Sequence, residues 1–183
     1  MKKLKNSELG RKSVDEFKKS RKIPVVVVLD NIRSLNNVGS VFRTSDAFRI
    51  EEIYLCGITA KPPHREIHKT ALGATDSVEW TYVEDTKTAI SKLKQDGYSV
   101  ISIEQADKSM NLPDFKPHIR QKYALVFGHE VKGVQQEIVN MSDICLEIPQ
   151  YGTKHSFNIS VSAGIVLYHI YYHFYEDFFK KVE

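Results

Sequence analysis

The chain has only two cysteines, six prolines and one tryptophan, and no apolar run long enough to cross a bilayer. Cys56 and Cys145 stand apart among apolar neighbours, with no CxxC pair and no secretory segment ahead of them. That excludes a disulfide framework or a zinc knuckle and points to a reducing, cytoplasmic setting. The longest lipid-like stretch, residues 163–175, carries His169 and His173 and falls short of the roughly 20 apolar residues that a spanning helix needs, so no membrane partner is expected. Absent too are GxGxxG behind the first strand, GxxxxGK[ST], GxSxG and HExxH, which leaves a dinucleotide fold, a P-loop, a hydrolase elbow and a zinc protease without support. His64, His68 and His155 lack a second ligand at helical spacing, and no metal is expected.

What remains is a chain of 183 residues, 42% hydrophobic and 27% charged, which suits one α/β domain with a packed core. Charge is unevenly spread. Residues 1–22 hold nine Lys or Arg against three carboxylates, a net of +6, leaving −3 on the other 161 residues. A basic arm (residues 1–23) on a mildly acidic body (24–183) suits a polyanion such as RNA, although a solubilising terminal helix would read the same way from charge alone. Ser13 and Glu16 form a capping-box pattern, so a short helix over 14–22 is expected, docked through Val14 and Phe17.

From Pro24 onward, short apolar runs alternate with helix-like stretches, the signature of βα units. Strands are expected at 25–29, 53–55, 77–83, 99–103, 123–127 and 144–148, giving a mostly parallel six-stranded sheet flanked by helices. The first is four valines and a leucine, apolar on both faces as a covered central strand must be. Helices are expected at 38–48, 64–71, 86–96, 134–140 and 158–180, the third closed by Asp96-Gly97. The last carries two apolar stripes, one through Val161, Ile165, Tyr168, Tyr172, Tyr175 and Phe179 and one through Val166, Ile170, Phe174 and Phe178. That is more apolar surface than one sheet face covers, and a second subunit is the economical explanation.

Three polar clusters follow predicted strands, where open α/β sheets collect ligands. After the first strand comes Asn37-x-Gly39-x-x-x-Arg43, in which Asn36 or Asn37 is placed to cap a helix and Arg43 to face a phosphate or make a surface salt bridge. Phe127-Gly128-His129-Glu130-Val131-Lys132-Gly133 permits close backbone approach while a carboxylate reaches in. The third runs from Ile148-Pro149 through Gly152 and Ser156-Phe157-Asn158-Ile159-Ser160, leaving main-chain groups open for a ligand.

Each motif alone is weak, but the ordered set resembles the signature motifs of the SpoU/TrmH family of RNA 2′-O-ribose methyltransferases in the SPOUT superfamily, across residues 24–172. The resemblance implies an α/β fold with a C-terminal trefoil knot, a homodimer built on the C-terminal helix, RNA as partner and S-adenosylmethionine as cofactor. Carried over by motif position, it implies a catalytic and RNA-facing set of Arg43, Asn37, Glu130, Ser156 and Asn158. The cofactor set is Gly128, Ile148 and Phe157, with Glu104 or its neighbours after the fourth strand joining them. His129 replaces the usual Asn and Phe157 the usual Leu. The short basic arm resembles the tRNA D-loop guanosine branch more than the rRNA branch. An RNA-binding module without turnover, or a base-nitrogen methylase of the same superfamily, are the competing expectations.

Overall fold

The computed structural model describes residues 1–180; positions 181–183 of the expected 24–183 domain lie outside the described residues. The elements run α1 (Val14–Lys19), β1 (Ile23–Asp30), α2 (Leu35–Ala47), β2 (Ile50–Cys56), α3 (Arg65–Ala71), α4 (Ala74–Ser77), β3 (Glu79–Val83) and α5 (Thr86–Gln95). They continue with β4 (Tyr98–Ile103), β5 (Met110–Asn111), β6 (Lys122–Phe127), α6 (Gln136–Met141), β7 (Ile144–Glu147) and α7 (Ile159–Tyr175), which passes into a π-helical turn, Glu176–Lys180.

The valine run of β1 organises the core. Val25, Val27 and Leu29 pack into a layer shared with α2, α3 and α7, while Val26 and Val28 pack into the opposite layer with α5 and α6. Strand periodicity of two sends alternate side chains to opposite faces, so only a run apolar at every position fits between two helical layers. Each such side chain contributes roughly 1.5–3 kcal/mol through burial.

The sheet has seven strands in the order β3-β2-β1-β6-β4-β7-β5, and the strand pairs are parallel. One more strand is present than expected: β5 is two exposed residues at the edge, too short to leave a pattern in the sequence. β2 is longer than the expected 53–55 because Glu51 and Glu52, which interrupt the apolar run, have partners: Tyr98 Oη donates to Glu51 at 2.9 Å and Thr81 Oγ1 to Glu52 at 2.6 Å. β3 starts later than expected, since Ser77 ends α4 and donates to the Asp46 carboxylate.

α2 begins at Leu35, three residues before the expected start. Ser34, not Asn36 or Asn37, is its N-cap, accepting from Asn37 N at 3.3 Å. Gly39 on α2 faces α3 so closely that a Cβ would lie 2.2 Å from the Ile67 carbonyl oxygen, so this motif glycine is a packing requirement between helices. α1 has the capping box of Ser13 and Glu16 but stops at Lys19, and it docks through Phe17 alone, with Val14 exposed. Arg21 stacks on the Phe178 ring at 3.7 Å. In α7 the stripe through Val166, Ile170, Phe174 and Phe178 is buried, whereas Val161, Tyr168 and Tyr172 remain exposed.

Candidate active site

The strand order reverses beside β1: the chain lays β2 and β3 on one side, and β6, β4 and β7 on the other. At such a switch point the loops leaving neighbouring strands part and open a crevice at the carboxyl ends. Here the loops after β1, β4, β6 and β7 converge there.

A chain of side-chain hydrogen bonds joins the three motifs. The Glu130 carboxylate accepts from Arg33 N at 3.0 Å, Ser34 N at 2.9 Å and Asn37 Nδ2 at 3.1 Å. Asn37 Oδ1 in turn accepts from Asn158 Nδ2 at 3.2 Å. Asn158 caps α7, its Oδ1 accepting from Ser160 N at 2.9 Å. Burial works against the charge on Glu130, but the backbone N–H groups of Arg33 and Ser34, with the Asn37 amide, outweigh it and hold the carboxyl below its ordinary range. Its oxygens are thus committed to donors of the protein, which makes Glu130 an orienting group.

Beside this chain lies a cleft of about 920 Å³. Seven of the nine expected site residues line it: Glu104, Gly128, Glu130, Ile148, Ser156, Phe157 and Asn158. Asn37 reaches it through its bonds to Glu130 and Asn158. Glu104 is a clamp: its carboxylate accepts from Gln105 N and Val134 N, both at 2.9 Å, tying the end of β4 to the loop after β6. Gln105 Nε2 donates to the His155 carbonyl at 2.8 Å and fastens the loop after β7 to the same place. At Gly128 a Cβ would lie 2.1 Å from Gly133 C and Val134 N, so the loop folds back on itself only because this residue is glycine. The loop is closed by reciprocal backbone bonds between His129 and Gly133, and His129 Nδ1 accepts from Val131 N at 3.0 Å.

Arg43 is not part of this cleft. It lies six residues beyond Asn37 on α2, about 9 Å along the axis and about 120° around it, and lines a separate cavity of about 980 Å³ with Arg11, Lys12, Arg49, Tyr171 and Tyr175. Two residues not singled out in the sequence also shape the site. Asp30 is buried at the end of β1 and accepts from Thr86 Oγ1 at 2.7 Å and Gln135 Nε2 at 2.8 Å, joining β1 to α5 and α6. A carboxylate directly after five apolar residues was its visible signal. Gln105 left none.

Thiolate chemistry is disfavoured: burial and the neighbouring Asp30 push the Cys56 thiol up to about 12, and burial raises Cys145 as well. His64 and His68 belong to the start and body of α3 while His155 lines the cleft, and among the described residues no three His, Cys, Asp or Glu side chains gather as metal ligands.

The model of the SpoU rRNA Methylase family matches residues 24–168. The chain belongs to the SpoU family. It is 32% identical over 141 residues to a tRNA (guanosine(18)-2′-O)-methyltransferase of Borreliella burgdorferi, covering 77% of this chain and 63% of that protein. Among solved structures, the Aquifex aeolicus TrmH/SpoU tRNA modifying enzyme superposes with a TM-score of 0.80 at 26% identity, covering 90% of this chain and 82% of its own. An AdoMet-bound rRNA methyltransferase from Sinorhizobium meliloti shares the fold at 24% identity, with a TM-score of 0.77 over 87% of this chain and 59% of that one. The hydrogen-bonded chain and the cleft therefore lie within the segment that defines the SpoU family. Among the described residues no helix is long and apolar enough to cross a membrane.

Proposed function

We propose that this protein transfers a methyl group from S-adenosylmethionine to a ribose 2′-hydroxyl of RNA in the cytoplasm, with a tRNA guanosine as the preferred target and rRNA as the alternative. The observation that carries this reading is the Glu130–Asn37–Asn158 chain, which locks three motifs together at the edge of one open cleft. The Borreliella relative's name supports tRNA, and the Sinorhizobium relative's supports the rRNA alternative.

The cleft fits the cofactor's chemistry. Its volume of about 920 Å³ lies in the range of small-molecule sites, and Ile103, Phe127, Ile148 and Phe157 give it apolar wall beside open main-chain groups. A flat purine needs the first and its ring nitrogens the second. Gly128, Ile148 and Phe157 would hold the cofactor, with Glu104 acting by pinning the loops that surround it. When bound, S-adenosylmethionine supplies a methyl group activated by its sulfonium. The protein's own work is alignment, together with stabilising the charge that develops on the ribose oxygen. Asn37 and Asn158 have fixed amide orientations and, with Ser156, face the ribose; Glu130 sets Asn37. Arg43 presents a planar fork of donors and no acceptor, so it serves as a clamp on phosphate or a partner for the developing alkoxide rather than as a base.

The same reading makes the protein a homodimer, supported by the exposed Val161, Tyr168 and Tyr172 on α7 and by the separation of Arg43 from the cleft. It also makes the segment after β6 a trefoil knot, supported by the bonds that fasten the loops after β4, β6 and β7 to one another. Residues 1–23 act as a basic RNA-binding arm. The test is transfer of labelled methyl to unmodified bulk tRNA and, separately, to rRNA, followed by alkaline hydrolysis. A 2′-O-methyl blocks cleavage at its own linkage, so label in resistant dinucleotides establishes the reaction and the RNA together. Label only in mononucleotides means base methylation, and cofactor binding without transfer to either RNA removes the reading.

A further inference from the structure

The body outside residues 1–22 is acidic, with a net charge of −3, yet residues 61–69 carry Lys61, Arg65 and Lys69 against Glu66 alone, with His64 and His68 between them. Among the described residues none of these three cations is paired with a carboxylate. α3 turns Ile67 and Ala71 into the core, which leaves Arg65, His68 and Lys69 together on its outer face at helical spacing. His64 spends Nδ1 as acceptor for Glu66 N at 3.2 Å, so its other ring nitrogen is left for solvent.

Aromatic surface lies beside this charge. β3 is an edge strand, and Trp80 and Tyr82, two residues apart, share one face of it. Lys61 Nζ sits 4.2 Å from the centre of the Tyr82 ring. Trp80 forms one wall of a cavity of about 510 Å³, lined also by Pro62, Pro63, Arg65, His68 and Asp76. The patch is held firmly to the first motif: Thr70 Oγ1 donates to the Asn36 carbonyl at 3.0 Å, and Gly39 lets α2 and α3 touch.

We propose that the outer face of α3, with Lys61, Arg65 and Lys69 on phosphates and Trp80 as a stacking wall for an unpaired base, is an RNA-anchoring surface of this protein beyond its N-terminal arm. The proposal rests on the RNA reading above. Unpaired cations clustered on an otherwise acidic body are the footprint of a polyanion, and cations interleaved with aromatic rings are the arrangement that grips single-stranded nucleic acid. A cavity bounded by two prolines and an indole has flat, rigid walls of the kind a base plane fits. An acidic protein would satisfy the charges but has no use for the stacking wall.

Trp80 is the only tryptophan in the chain, so its emission reports this surface alone. The full-length protein and a Lys61→Gln/Arg65→Gln/Lys69→Gln variant are titrated with unmodified bulk tRNA by filter binding over a series of KCl concentrations, and Trp80 emission is followed in parallel. The expected result is a salt-dependence slope lower by about 2 in the variant, since each phosphate contact contributes about 0.7 to 0.9. Trp80 emission should change with tRNA in the wild type and change less in the variant. The variant should keep the far-ultraviolet circular dichroism and the urea midpoint of the wild type, which shows that it is folded. Equal slopes with silent Trp80 emission, in a wild type that still binds tRNA, overturn the proposal and leave the surface to a protein ligand. A wild type that binds neither tRNA nor rRNA overturns the RNA reading itself, a result distinct from the first.

Discussion

Asn158 Nδ2 donates to Asn37 Oδ1 at 3.2 Å, across 121 residues of sequence, and this bond fixes how the start of α7 sits against the start of α2. Because Asn37 Nδ2 is at the same time given to Glu130, the amide cannot flip without losing both partners. Asn37→Ala removes the middle of the chain and leaves Asn158 anchored only to its own helix. Methyl transfer is expected to fall about 100-fold, the cost of a misplaced reacting group, with cofactor affinity nearly unchanged. Single-turnover transfer and calorimetric cofactor titration check the two halves of this expectation.

Glu130 links stability to pH. Its carboxyl is held below the ordinary range in the folded chain by the N–H groups of Arg33 and Ser34. Its charged form therefore stabilises the fold above the unfolded glutamate value of about 4.3, and that contribution fades as pH falls from there through the lower folded value. Glu130→Gln lacks this dependence and offers an amide N–H₂ where a second acceptor is needed. Urea midpoints of the two proteins should differ most at neutral pH, with the wild type higher, and converge as the solution is acidified below about pH 4.

The central layout was legible because its signals are local. Five apolar residues in a row made β1, and Ser13 with Glu16 made the start of α1. What was misread depended on partners distant in sequence. Asn37 has the residue type of an N-cap, but Glu130 claims its side chain and Ser34 takes the cap. Glu51 and Glu52 look like a break in a strand until Tyr98 and Thr81 are placed beside them. Val14 reads as a docking residue at helical spacing, yet the burial of Phe17 alone seats the short helix. The motifs pointed to loops that meet at one cleft, but not to the way Glu104 and Gln105 tie three of them together, because a Glu-Gln pair after a strand has no pattern of its own.

Gly128 should tolerate no side chain. A Cβ there meets Gly133 C and Val134 N at 2.1 Å, and both are backbone atoms that cannot rotate away. Gly128→Ala is expected to destabilise by about 3 kcal/mol, the upper end of overpacking costs, lowering Tm by about 6–12 °C in a chain of this size. Because the 128–134 loop lines the cleft, cofactor affinity should fall as well. Gly152→Ala, where nothing lies within 4 Å, is the control and should leave Tm unchanged in the same thermal scan.

Arg43 is placed apart from the cleft, on a cavity with cationic and aromatic walls. If it acts on the RNA, Arg43→Ala will reduce transfer by at least about 1,000-fold, the upper range for removing one charge-stabilising donor, while leaving cofactor affinity intact. Arg43→Lys should recover little, since an ammonium cannot present the planar fork of donors. Near-normal turnover in either variant would show that the guanidinium is a surface charge.

The exposed face of α7 separates a dimer from a monomer with bare apolar surface. Tyr172 is 65% exposed and Tyr168 56% exposed on a helix whose opposite stripe is fully buried. Two tyrosines one turn apart, next to Val161, form the apolar centre expected of a self-complementary interface, where the same patch on two copies meets across a two-fold axis. Tyr168→Glu/Tyr172→Glu would set like charges against each other there, while inside the monomer it removes only the ring contacts of Tyr168 with Phe48 and Tyr171 and of Tyr172 with His173. Sedimentation equilibrium should show the wild type at twice the chain mass and the variant at the chain mass of 21.0 kDa, with urea midpoints losing their concentration dependence in the variant. A wild type that sediments as a monomer at every concentration tested would remove the dimer, and with it the reason for so much tyrosine on the outside of α7.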